Sequence, residues 1–115
     1  MSRIIHVDNS GFFRKIMRTF LSELGLESKS FEYGRDALIE AKTGNVSCVI
    51  TGLELPDMRG EDFIQKLASL NNPVSIIVFS ASADENRDKF LETHGVLGLV
   101  QKTSNWKEQL RKFFV

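Results

Sequence analysis

Short apolar runs that stop at a glycine, a proline or a polar cluster alternate along this chain with segments whose apolar residues recur every three or four positions. That alternation restricts the fold more than any other feature. A run such as Cys48-Val49-Ile50 or Val74 to Ser80 is apolar on both faces, so it must be covered on both. Helices between successive strands supply that cover, and the outcome is a parallel sheet sandwiched by helices.

Arg3 to Val7 is the first such run, ended by Asp8-Asn9-Ser10-Gly11, any of whose first three residues could cap a helix. From Phe12 to Leu24, Phe13, Ile16, Met17, Phe20, Leu21 and Leu24 form one apolar stripe, and Gly25 stops it. Ser28 to Tyr33 reads as a more polar, outer strand, followed by a helix over Arg35–Lys42 that Gly44 ends. Val46 to Thr51 is the third strand. Gly60-Glu61-Asp62 opens a third helix with Phe63, Ile64, Leu67 and Leu70 inward, closed by Asn71-Asn72-Pro73. Val74 to Ser80 is the fourth strand. A strongly charged helix over Glu85–His94, with Phe90 and Leu91 as anchors, leads through Gly95 to a fifth strand over Val96–Val100. Ser104 is expected to cap a last helix carrying Trp106, Leu110, Phe113 and Phe114, with Trp106 in the core or partly exposed.

At 115 residues this is a single domain, 1–115, with an ordinary core. Fifteen basic and fifteen acidic residues cancel, so no global field favours nucleic acid or an anionic membrane. No run is long enough to span a membrane and none reads as a signal peptide, which leads to a cytoplasmic expectation. Cys48 has no partner for a disulfide and reads as a small buried hydrophobe. Phosphate-binding glycine loops, nucleophile elbows, metal-ligand spacings and Ser-His-Asp sets are all missing, so the chain is not expected to be an enzyme.

The segment Ile50-Thr51-Gly52-Leu53-Glu54-Leu55-Pro56-Asp57-Met58-Arg59-Gly60 follows a strand and carries Pro and Gly four and eight residues after Gly52. It resembles the phospho-acceptor segment of CheY-like response-regulator receiver domains, with Gly52 in the place of the acceptor Asp. The resemblance covers essentially the whole chain, and it implies a flavodoxin-like sheet of five parallel strands in the order 2-1-3-4-5 with five helices on two faces. It also places Asp8 and Asn9 at the acidic-pair positions, Ser80 at the Thr/Ser position, Lys102 at the lysine position that ends strand 5 and Leu99 at the aromatic switch position. The proline that usually follows the lysine is Thr103.

Phosphoryl transfer to a carboxylate needs a divalent cation held by oxygen ligands. By the resemblance, Asp8 and the Glu54 carbonyl remain of the metal set, so Mg²⁺ binding is expected to be weak or absent, and no other cofactor is implied. Lys102 without an acceptor carboxylate needs another anion, and Asp8 or Glu54 is expected within salt-bridge distance. Asp8 taken alone reads equally as a helix cap or a ligand. Asp57 is expected to be a turn residue rather than a replacement acceptor. Thr51 and Ser80 lack an evident base, and His6 and His94 are expected to be structural.

The resulting expectation is a pseudo-receiver of two-component signalling, unphosphorylated at the usual site and acting through protein contacts. Its partner, or a second copy, would meet the helix over Glu85–His94, the fifth strand and the last helix. Two alternatives stand beside it: an ordinary Asp-phosphorylated regulator in which Gly52 is a substitution, and a sensor of a small anion or other ligand in the vacated pocket.

Overall fold

The computed structural model describes residues 3–72, 74–81, 89, 91–92 and 94–114. Along them run β1 (Arg3–Val7), α1 (Gly11–Glu23), β2 (Ser28–Phe31), α2 (Gly34–Lys42), β3 (Val46–Thr51), α3 (Gly60–Ala68), β4 (Ser75–Ser80), β5 (Val96–Gln101) and α4 (Trp106–Arg111). The strands form one parallel sheet in the order β2-β1-β3-β4-β5. The helix expected over Glu85–His94 lies largely outside the described residues, and so does its anchor Phe90. Lys89, Leu91 and Glu92 are helical, and Leu91 is buried.

The strands sort their side chains by alternation into two cores. On one face Ile5, Val7, Val49 and Val78 meet Ala37, Leu38 and Ala41 of α2 and Phe63, Ile64 and Leu67 of α3. On the other, Ile4, Cys48, Ile50, Ile77 and Phe79 meet Met17, Phe20 and Leu21 of α1 and Trp106 and Leu110 of α4. The near-continuous apolar runs are what a sheet covered on both faces requires.

The structure decides among several local expectations and corrects others. Ser10, rather than Asp8 or Asn9, caps α1, its hydroxyl accepting from the Phe13 N–H at 3.2 Å. Ser104 does not cap the last helix, which begins at Trp106 after Asn105. The turn before it is held by Thr103, whose hydroxyl donates to Asn105 at 2.6 Å, while Gln109 donates to both. Trp106 is buried, edge-on to Phe20 at 5.3 Å between ring centres. The second strand stops at Phe31, because Tyr33 already stands at the N-cap of α2.

The register fixes where the strand ends meet. Val7 lies beside Thr51 and Ser80 beside Gln101. The residues that follow, Asp8, Gly52, Ala81 and Lys102, therefore emerge together at the carboxyl edge. The chain order reverses between β1 and β3, which is where open α/β sheets leave a crevice.

Candidate functional site

That crevice is a cavity of about 220 Å³ lined by Asp8, Asn9, Gly52, Leu53, Glu54, Phe79, Ser80, Ala81 and Lys102. Every pocket residue marked in the sequence reaches it, whereas Leu99 lies apart on β5 and is 38% exposed.

Asp8 sits at the centre and is 1% exposed. Its Oδ1 accepts from the Ser10 N–H at 2.9 Å, and its Oδ2 lies 2.9 Å from Lys102 Nζ. The ion pair that Lys102 needs is thus made with Asp8 and not with Glu54, which is exposed and bridges antiparallel to Arg59. At this separation and an effective dielectric near 20, the attraction is roughly 6 kcal/mol. Desolvation of two ions offsets much of it. The Lys102 ammonium also stands 4.3 Å from the centre of the Phe13 ring and 5.3 Å from that of Phe79, so aromatic faces cover what the carboxylate does not.

His6 is the residue that sequence reasoning missed. Residues two apart on a strand share a face, and His6 Nε2 lies 3.6 Å from Asp8 Oδ2. That exceeds hydrogen-bond length, and neither ring nitrogen has a hydrogen-bond partner among the described residues. Burial at 1% exposure is the main reason its pKa lies below the ordinary value, despite the nearby Asp8 carboxylate. For Asp8 itself burial opposes ionisation, but His6, Lys102 and the Ser10 N–H outweigh it and hold the carboxyl below its ordinary range. Arg14 adds a further contact, donating to the Asp8 carbonyl at 2.6 Å.

Gly52 closes the floor, its N–H donating to the Val7 carbonyl at 2.9 Å. A Cβ placed there would come no nearer than 3.7 Å to Asp8, an ordinary contact, so a side chain has room. The hydroxyl of Thr51 is buried and donates to the Gly52 carbonyl at 2.8 Å. Asp57 is held away from the cavity. Its two oxygens accept from the backbone N–H groups of Gly34 and Arg35 at 2.9 and 3.0 Å.

The donor set does not suit a hard divalent cation. Asp8 is the one buried carboxylate lining the cavity, and both its oxygens are engaged. No group of three or more His, Cys, Asp or Glu side chains able to hold a metal occurs among the described residues.

Residues 4–113 match the family model described as the response regulator receiver domain. The chain is 27% identical to the chemotaxis protein CheY-3 of Vibrio cholerae over 97% of its own length and 91% of that protein's. It is equally identical to the chemotaxis protein CheY of Pseudomonas aeruginosa, covering 97% of this chain and 95% of the relative. Among solved structures it is similar to the response regulator TrrA of Thermotoga maritima in complex with Mg²⁺ and BeF. The TM-score is 0.86 at 26% identity, over 99% of this chain and 97% of that one. The chemotaxis response regulator CheY4 of Vibrio cholerae shares the fold, with a TM-score of 0.88 at 21% identity over 99% and 97% of the two chains.

Proposed function

Because the chain belongs to the response regulator receiver domain family, we propose that it serves two-component signalling as a pseudo-receiver, whose contacts with partner proteins do not depend on phosphorylation at the usual site. One observation carries the reading: over the side-chain-free Gly52, the Lys102 ammonium lies directly on the Asp8 carboxylate at 2.9 Å. Metal-assisted phosphorylation needs an acceptor carboxylate and an open metal position. Gly52 removes the first, and Lys102 takes the place of the second with a cation built into the chain.

The cancelled charge of Asp8 and Lys102 also gives a small anion little reason to enter. The domain would then be non-enzymatic, need no cofactor and work in the cytoplasm. Its output surface would be the β5 edge, where Leu97 and Leu99 are 57% and 38% exposed, together with α4 and the segment over Glu85–His94 expected to be helical. A protein partner or a second copy would cover that surface.

Incubation with a small-molecule phosphodonor and Mg²⁺, followed by intact mass measurement, is the test. The expected spectrum is unchanged by the donor. Stoichiometric addition of a phosphoryl group would overturn the reading. The variant Gly52→Asp separates a lost acceptor from a lost site: renewed Mg²⁺-dependent phosphorylation would mark Gly52 as a lone substitution in an otherwise working receiver.

A further inference from the structure

Between α2 and α3, on the face away from α1 and α4, runs a groove of about 610 Å³, within the range of small-ligand and side-chain pockets. Its floor is apolar, made by Leu38, Met58 and Leu70, and its rim carries three cations, Arg35, Lys42 and Lys66. Among the described residues no carboxylate lines it. A second cavity of about 420 Å³ shares Lys42 and Leu70 with the first and extends the trough past Asn71 and Asn72.

The cations are unevenly satisfied. Arg35 stacks 5.1 Å from the Tyr33 ring centre and reaches Asp36 at 4.0 Å. Lys42 and Lys66 have no carboxylate within salt-bridge distance among the described residues. The nearby Asp57 accepts from the Gly34 and Arg35 N–H groups and its charge offsets part of that of Arg35, but it forms no ion pair with Lys42 or Lys66 among the described residues. Lysines in the last turns of α2 and α3 suit the helix dipoles. That preference does not explain why both line one groove together with an arginine from the opposite end of α2.

We propose that this trough is a docking surface for an acidic amphipathic helix of a partner protein, one that sets an apolar side chain on Leu38, Met58 and Leu70 and carboxylates against Arg35, Lys42 and Lys66. Charge complementarity selects the occupant. A chain with zero net charge gathers Arg35, Lys42 and Lys66 around an apolar floor here, and a helix with carboxylates on both sides of an apolar stripe is the complementary occupant. The surface lies apart from the Gly52 cavity, so its use does not depend on the state of that site.

The test uses the whole chain and a fluorescein-labelled helical peptide of alternating Glu and Leu faces, read by anisotropy and by ¹⁵N amide shifts. The expected result is binding that weakens at least tenfold between 50 and 500 mM salt, about the change that surface charge screening produces. Amide shifts should centre on residues 35–42, 58 and 66–70. The exposed double variant Lys42→Glu/Lys66→Glu, checked for an unchanged circular dichroism spectrum and melting temperature, should lose at least tenfold in affinity. A Lys/Leu peptide should not bind. Shifts confined elsewhere, binding indifferent to the charge reversal, or equal binding of single-stranded DNA or phosphatidylserine vesicles would overturn the proposal. The mass measurement on the Gly52 cavity is unaffected by any of these outcomes, so the two readings fail separately.

Discussion

Lys102 and Asp8 are partners with unequal alternatives. Lys102 retains 12% exposure along a flexible stem and can swing its ammonium toward water, whereas Asp8 is fixed at the end of β1. Lys102→Met should therefore cost about 3–5 kcal/mol at neutral pH, the usual penalty for stranding a buried charge. Asp8→Asn should cost less. Urea denaturation at pH 7 checks the order, and a larger loss for Asp8→Asn would show that the lysine has nowhere else to go. His6 adds a pH dependence whose sign follows from its lowered pKa. The unfolded chain takes up a proton near the ordinary value of about 6.5 while the folded chain does not, so stability falls as pH drops below that value. Asp8, also lowered, adds its own loss at more acidic pH, as pH falls below its unfolded pKa. The substitution His6→Phe should flatten the change in urea midpoint between pH 7 and 5 and shrink the more acidic loss without abolishing it, because Lys102 and the Ser10 N–H still favour the Asp8 carboxylate. Asp8, Lys102 and Ser80 were legible through the family resemblance, which assigns them to positions at or just after the ends of strands. His6 was hidden because a polar residue inside an apolar strand gives no hint of which neighbour it faces until the pairing is known.

The loop from Leu53 to Gly60 works as one element. The Gly60 N–H donates to the Leu53 carbonyl at 2.8 Å, and a Cβ at Gly60 would fall 2.5 Å from the Leu53 Cα. Backbone that close cannot yield as a side chain would. Gly60→Ala should destabilise by about 1–3 kcal/mol or more, measured from denaturation midpoints. Asp57, in the same loop, supplies α2 with the cap that Tyr33 lacks. Burial works against its ionisation, but the N–H groups of Arg35 and Gly34 outweigh this and hold its carboxyl below the ordinary range. Asp57→Ala should cost about 1 kcal/mol, the usual loss for a removed cap. It should also speed amide exchange in the first turn of α2 while sparing α1. From sequence this aspartate read as a turn residue, because a cap supplied from 23 positions away leaves no local pattern. Ser104 failed as a cap for the opposite reason: a plausible local signal lost to the Thr103, Asn105 and Gln109 network.

At the scale of the whole molecule, the strand order rested on the family resemblance, since alternation alone predicts a parallel sheet but no sequence of neighbours. The two cores were more directly legible. Met17, Phe20 and Leu21 of α1 and Phe63, Ile64 and Leu67 of α3, each read as an inward stripe, are all buried. Cys48 lies inside one of these cores, and burial pushes its thiol up to about 12. A thiol reagent should therefore label it at the rate of global opening, and its labelling should slow in step with any substitution that raises the unfolding free energy. Prompt labelling under native conditions would mean that the sheet opens locally beside β3.

The ammonium resting on Asp8 is encoded in the chain and cannot be chelated, diluted or hydrolysed away. If the domain is a pseudo-receiver, its central charge is fixed at synthesis, and its message would be delivered by dosage, adjusted by making or degrading copies.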